Sequence, residues 1–506
     1  MPDSGSVSSV RDRRWLVLGV IGLAQLMVVL DLTVMNVALP SAQRALHFSL
    51  ADRQWVVTAY GLAFGSLLLL GGRLADLLGR KITFLIGLVG FAGVSAIGGA
   101  SVNFAMLITA RACQGAFAAL LVPSALSLLT TTFTEPADRG KAFGIFGAIV
   151  GAGGAVGLLL GGVLTEYLSW RWTMYVNLIF AAVSFIGGTL LLERQASAAR
   201  PRLDIPGVVL VSGAVFCLVY GFSNAATHSW HTASTYGFLA AGAVLAASFV
   251  WWQREAAHPL LPPRVVLDRN RGGAYISMFI AAAGLFPTFL LLTYYLQQTL
   301  VYSPLVTGVA FLPLSAGLIV AGNLSTIVLM PRFGPKWLVS FGMLAATGGA
   351  VWLAQLGPHT GYPVGVLGPL VVVGIGLGMV IPPVINTGVF GVAPQDAGVA
   401  SATVTVGQQL GASVGTSLLN TIFASAVATY ITAHLAASRI IGRQAVSTLA
   451  QAHGYDIAFW WIAAIFAAGA VLGGLVIRPG PLSRTSPASL ETGEITRAQT
   501  EDAISR

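Results

Sequence analysis

The sequence predicts an all-α polytopic membrane protein of fourteen transmembrane helices: two six-helix halves with two additional helices between them. Three observations predict it. The 506 residues are 56% hydrophobic and only 9% charged, with a mean hydropathy of +0.80, and a soluble surface on a chain of this size needs far more charge. Apolar stretches of about twenty residues, long enough for a roughly 30 Å hydrocarbon layer, recur along the whole chain. The positive residues follow alternate loops instead of gathering on one face.

Taken in order, the polar segment 1–14 is expected in the cytoplasm and runs straight into a full-length span, so no cleavable signal peptide is expected. The N-terminal half, 15–192, holds spans at 15–39, 54–72, 82–101, 104–130, 142–165 and 173–192. The segment 193–272 opens with a short charged linker, Glu193–Asp204, and adds spans at 206–224 and 235–253. Neither carries a buried charge or a dense glycine pattern, which marks them as peripheral. The C-terminal half, 273–479, holds spans at 273–297, 304–330, 337–356, 362–390, 398–432 and 457–477. The tail 480–506 is rich in Ser, Thr and Glu and is expected to be disordered.

Charge sets the orientation. With the N-terminus inside, 21 of the 27 Lys and Arg residues fall on the cytoplasmic side. Arg44, Arg53, Arg171, Arg439 and Arg443 fall outside, and Arg111 lies within the membrane. That bias predicts cytoplasmic termini, and it explains the net charge of +9 without a nucleic-acid partner. The abundance of Ala and Gly, with only three lysines, suggests a GC-rich bacterium and hence its inner membrane. Cys113 and Cys217 sit inside spans and the seven histidines, His228 and His231 among them, form no ligand cluster, so neither disulfides nor a metal is expected.

An internal repeat supports the two-half design. Gly79-Arg80-Lys81 followed by Gly87 lines up with Gly334-Pro335-Lys336 followed by Gly342, at a constant offset of 255 residues. Both lie in expected cytoplasmic loops after the second span of a half.

Two ionisable residues sit well inside the spans, Asp31 and Arg111. A charge in hydrocarbon costs at least about 2.5–3.5 kcal/mol, so each defaults to a functional role. At 1.5 Å rise per residue, Asp31 lies roughly 13 Å and Arg111 roughly 10 Å below the outer surface. Opposite charges at one depth predict a pair whose carboxylate is balanced between desolvation and Arg⁺, able to bind and release a proton. A permanent pair that only joins two helices is the competing reading.

Four ordered motifs carry a resemblance. The loop Gly72-Arg73-Leu74-Ala75-Asp76-Leu77-Leu78-Gly79-Arg80-Lys81 resembles the signature loop of the major facilitator superfamily. Leu30-Asp31-Leu32-Thr33-Val34-Met35-Asn36 through Pro40 is similar to the first-span motif of its fourteen-span drug:proton antiporter branch. Arg111-Ala112-Cys113-Gln114-Gly115 is similar to the superfamily's arginine motif. Gly161-Gly162, then Ser169-Trp170-Arg171-Trp172 and Asn177, are typical of the same branch. The resemblance implies the major facilitator fold, proton coupling at Arg111 and Asp31, and a polar patch of Thr33 and Asn36 near Asp31. It also implies a cytoplasmic gate of Gly72, Asp76, Gly79, Arg80 and Lys81, and an antiporter glycine scaffold of Gly157, Gly161 and Gly162. Independently, the position of Asp76 at the cytoplasmic end of its span is suited to capping a helix N-terminus and pairing with Arg80. The chain departs from the pattern at Leu77, where the family often has a basic residue, and at Leu158, where it has proline.

Tyr60, Tyr294, Gln297, Asn386 and Gln409, together with Trp55, Tyr295, Gln298, Gln408 and Asn420, are candidates for a substrate cavity. Aromatics and neutral amides suit lipophilic or weakly basic compounds. No phosphate-binding loop is present, so no ATP and no cofactor are expected, and the chain is not expected to be an enzyme. A gradient must then drive transport; 100 mV supplies about 2.3 kcal/mol per charge. The expected function is proton-driven efflux of small lipophilic or amphiphilic compounds such as antibiotics, conferring resistance, by a protein that works as a monomer among membrane lipids. Export of a single endogenous metabolite, proton-coupled nutrient uptake, and a membrane protein without transport remain open alternatives.

Overall fold

The computed structural model describes residues 4–49, 52–133, 135–193, 204–228, 232–256, 259–261, 263–358, 360–392, 397–434 and 442–480. Most of the linker, the loop containing His231, and the tail beyond 480 lie outside them.

The described residues form helices and turns. Six long helices come first: α1 (Ser4–Leu46), α2 (Arg53–Leu78), α3 (Arg80–Gly99), α4 (Phe104–Thr132), α5 (Pro136–Tyr167) and α6 (Trp172–Leu191). A hairpin of α7 (Ile205–His228) and α8 (Ala233–Glu255) follows, then the short α9 (Pro263–Val266). The second group begins at α10 (Arg269–Tyr294), which runs on through a widened turn to Thr299. Next come α11 (Pro304–Ala310), α12 (Leu312–Leu324) and α13 (Met330–Leu353), then α14 (Gly368–Gly378) and α15 (Ile381–Val389). The chain ends in α16 (Ala397–Ala433) and α17 (Arg443–Val476).

A helix underlies each of the fourteen expected spans. By length and composition alone, twelve stretches of the described residues qualify as crossings. One of these, Pro304–Leu353, is 50 residues long and turns back at Gly334, while the 32-residue α5 is outside the twelve. The last helix starts fourteen residues before its expected span, because 443–456 is too polar to read as a crossing but contains no proline.

Two apolar clusters organise the helices. One joins α1 to α6 through Ile21, Tyr60, Phe84, Leu121 and Phe146. The other joins α10 to α17 through Met278, Phe311, Met343, Leu377 and Phe466, and takes in Val37 and Leu158 from the first group. The repeat seen in the sequence reappears in the backbone. Gly79 (φ 94°) and Gly334 (φ 73°) make the same left-handed turn, which L side chains rarely adopt. Gly87 then packs on Leu121 of α4, as Gly342 packs on Gly376 of α14. So α3 with α4 corresponds to α13 with α14.

The hairpin α7–α8 leans on the seam between the groups. Ser212 donates to the Ser66 carbonyl at 2.5 Å, and Val215 packs with Leu62, Val406 and Leu410. Its base holds a buried charge at the last residue of the charged linker, just before the two spans. Asp204 accepts from the Gly207 amide (2.9 Å), Trp252 Nε1 (2.7 Å), Gln253 Nε2 (2.7 Å) and the Leu260 amide (3.3 Å). Burial pushes its carboxyl up, but these four hydrogen bonds outweigh burial and leave it below its ordinary value.

Candidate functional site

The end at which α1 meets α2 is termed outer, following the charge bias. Asp31 and Arg111 meet below it, 2% and 1% exposed, with Arg111 Nη1 2.5 Å from Asp31 Oδ2. Helix geometry explains the meeting. Gly115 sits one turn beyond Arg111, where any Cβ would strike the Tyr60 carbonyl, so α4 and α2 approach closely. That approach lets Arg111 Nε donate to the Val56 carbonyl at 3.1 Å and lays the guanidinium 4.6 Å from the Tyr60 ring centre.

The carboxylate is fully engaged. Its Oδ1 accepts from Gln114 Nε2 (3.1 Å) and Asn177 Nδ2 (2.7 Å). Gln114 also donates to Ser95 Oγ (2.7 Å) and accepts from Arg111 Nη1 at 2.9 Å. Ser95 passes its own hydrogen to the Phe91 carbonyl at 2.7 Å. Five helices, α1, α2, α3, α4 and α6, therefore converge on one buried ion pair. Two buried oxygens of this node have no hydrogen-bond partner: Asn177 Oδ1 and Tyr60 Oη.

The polar patch is built differently from expectation. Thr33 donates to the Val29 and Leu30 carbonyls and Asn36 to the Leu32 carbonyl, so both answer their own helix and not Asp31. Gln114 and Asn177 take that place. Both stand in quoted motifs, but only folding shows them converging, and nothing in the sequence singles out Ser95.

The glycine scaffold splits in two. Gly157 faces Thr33 and Gly161 faces Val34, both on α1, whereas a Cβ at Gly162 would lie 2.6 Å from Leu305 Cα in the second group. In the signature loop, Gly72 touches Pro123 of α4 and Gly79 makes the turn. Lys81 Nζ donates to the Thr189 carbonyl (2.9 Å) and to that of Leu192, closing the end of α6. The Asp76 side chain, and with it the expected pairing to Arg80, lies outside the described residues.

The cavity candidates scatter. Tyr294 Oη donates to Gln43 Oε1 (2.8 Å) and Gln297 Nε2 to the Val37 carbonyl (3.0 Å). Together with the Leu305 amide on Glu166 Oε2 (2.9 Å), these bonds close the outer ends of the two groups on each other. Tyr60 packs under Arg111, Gln409 is buried beside Gly65, Trp55 meets Tyr220, and Asn386 is exposed on α15. Tyr295 bonds the carbonyls of Gly357 and Thr360 within its own group.

One outer cation is buried. Arg53, counted on the outer side, is 1% exposed. It donates from Nε to Asn420 Oδ1 at 2.9 Å and lies over the rings of Tyr294 (4.1 Å) and Phe423 (5.1 Å). It sits at the first residue of α2, too close to a span end for hydropathy to mark it as buried.

Residues 21–416 match the family model described as the Major Facilitator Superfamily. The chain is 44% identical over 494 residues to a puromycin resistance protein of Streptomyces alboniger, covering 97% of this chain and 96% of that one. It is 40% identical to a cephamycin export protein of Amycolatopsis lactamdurans, over 79% and 83% of the two chains. Among solved structures, a bacterial homologue of the human lysosomal transporter Spinster, inward-facing and unoccupied, superposes with a TM-score of 0.65 at 16% identity. That match covers 92% of this chain and 97% of the other.

Proposed function

From the premise that the chain belongs to the major facilitator superfamily, we propose that it is a proton-driven exporter of small lipophilic or amphiphilic compounds of the antibiotic class, conferring resistance. It works as a monomer in the bacterial inner membrane, with both termini in the cytoplasm. Relatives named for puromycin resistance and cephamycin export support the substrate class. The observation that carries the mechanism is the buried Asp31–Arg111 pair with its saturated carboxylate.

Arg111 presents only donors, so a proton on Asp31 Oδ2 would set O–H against N–H and the pair must part. A proton on Oδ1 meets two amide NH2 groups. Gln114 is held by Arg111 through its Oε1, but Asn177 can turn over, because its Oδ1 has no partner to lose. Protonation at Oδ2 and pairing therefore exclude one another, Oδ1 is the oxygen at which the proton can first be received, and each turn of the cycle exchanges the pair for the proton. Protons entering from outside reach Asp31 and release Arg111; substrate binding from inside drives the return. The two helix groups, corresponding to 15–192 and 273–479, rock about a site between them. Gly72, Asp76, Gly79, Arg80 and Lys81 form the inner gate, and Gly157, Gly161 and Gly162 let α5 slide.

The test uses energised inverted vesicles with a pH-sensitive dye. Adding puromycin or another lipophilic antibiotic releases protons with the wild type, and Asp31→Asn abolishes the release. Retained release in that variant overturns the assignment of Asp31.

A further inference from the structure

Arg53 carries a buried charge that no carboxylate among the described residues pairs. It contributes one side of a contact between the outer end of α2 and the middle of α16, and Asn420 contributes the other. The contact is incomplete in a specific way. Nη2 lies on the same edge of the guanidinium as Nε, and that edge is built to meet a carboxylate with two parallel bonds. Here Nε finds Asn420 Oδ1, while Arg53 Nη2 and Asn420 Nδ2 are both buried donors with no partner. Asn420 offers the fork one acceptor and one donor, where an aspartate of the same shape would offer two acceptors.

We propose that Arg53 and Asn420 are positioning residues of the transport cycle: they latch the outer ends of the two helix groups, and the amide at 420 keeps the latch breakable. The proposal rests on the export reading, since only a carrier must open this face. Opening separates α2 from α16 and returns Arg53 to water. The hydration it regains offsets the loss of a single hydrogen bond and two ring contacts. A carboxylate at 420 adds a second, charge-assisted bond and removes the orphaned pair of donors, so the closed state outlasts the cycle. A leucine at 420 has the opposite effect, taking the amide oxygen away from the buried cation. The neighbouring Tyr294–Gln43 bond crosses between the same two groups, so the latch sits inside an existing closure.

The experiment measures the ratio of outer-closed to outer-open protein directly. Spin labels go on Ala45→Cys and Val306→Cys, one on each group, in full-length protein in lipid nanodiscs at about pH 8, where an aspartate is ionised. The open fraction is expected to rise in the order Asn420→Asp, wild type, Asn420→Leu. Asn420→Asp should shift the ratio toward closed by about tenfold, because the fork then makes two bonds to an ionised acceptor in place of one bond to a neutral amide. Drug-triggered proton release should fall in Asn420→Asp in step with the lost open state. Equal ratios in all three proteins, or a leucine variant as closed as the aspartate one, overturn the latch. The distance measurement needs no substrate, so a protein that exports nothing yet still orders the three variants this way sinks the export reading and leaves the latch standing.

Discussion

Replacing Asp31 by Asn keeps the side-chain shape and removes one charge from the buried pair. Arg111 then keeps two neutral acceptors, the Val56 carbonyl and Gln114 Oε1, and the face of Tyr60. The donors from Gln114 and Asn177 meet an amide in place of a carboxylate. Removing one partner of a buried pair costs about 3–5 kcal/mol, a factor of roughly a hundred to several thousand in the equilibrium that forms the paired state. Replacing both charges by neutral groups is often nearly free, because no buried charge is left unpaired. The double variant Asp31→Asn/Arg111→Gln therefore separates two roles that either single variant confounds. Its melting temperature in detergent should return most of the way to wild type, while drug-triggered proton release in inverted vesicles stays lost. A double-mutant cycle over both readouts gives the coupling energy and the coupling function independently. If the double variant regains proton release along with stability, the pair is a structural clasp and the coupling lies elsewhere.

Two further outcomes follow from other parts of the fold. The Asp204 carboxyl sits below its ordinary value, so its contribution to the α7–α8 hairpin is present above the unfolded value near about 3.9 and is lost as pH falls through the lower folded value. Hydrogen exchange corrected for intrinsic rates should show the amides at the base of α7 and α8 losing protection on acidification in that window, and Asp204→Asn should flatten the dependence while lowering protection at neutral pH. At Gly162, a Cβ would lie 2.6 Å from Leu305 Cα across the outer closure. Overpacking there by Gly162→Val should cost the outer-closed state about 1–3 kcal/mol, and the label pair at 45 and 306 should report a matching rise in the open fraction; an unchanged distance distribution would mean that α5 and α11 yield without parting.

The spans, the repeat and the ion pair were legible in the sequence for one reason: each is written in a local signal that the bilayer enforces. Hydropathy marks a crossing, Gly79 and Gly334 mark the same turn at a fixed offset, and Asp31 and Arg111 are costly wherever they stand in hydrocarbon. What surrounds the pair was not legible. Asn36 and Thr33 lie near Asp31 in sequence, yet a helix turns their side chains back to the carbonyls of the preceding turn. Gln114 and Asn177 reach the carboxylate from two other helices and Ser95 receives Gln114 from a third, and only packing decides that. The cavity candidates failed to gather for the same reason, since residue type says nothing about which face of a helix turns inward. The burial of Arg53 was not legible either, because hydropathy places a cation at the first residue of a span on one side of the membrane without showing that α16 and α10 cover it.

The two buried arginines make opposite use of the same chemistry. Arg111 has a carboxylate held by two amides, and in the proposed mechanism a proton, whose supply the membrane gradient controls, cancels the pairing. Arg53 has an amide in the place of a carboxylate, so its contact has no proton to respond to and yields only to separation of the helices. Arg111 and all its partners belong to the first helix group, whereas Arg53 bridges the two groups. In the proposed mechanism the proton-responsive pair is thus confined to one helix group, and the proposed latch spans the joint between the two. Exchanging the chemistries would disable both: a carboxylate at the joint would hold it shut, and an amide at position 31 would leave the gradient nothing to act on.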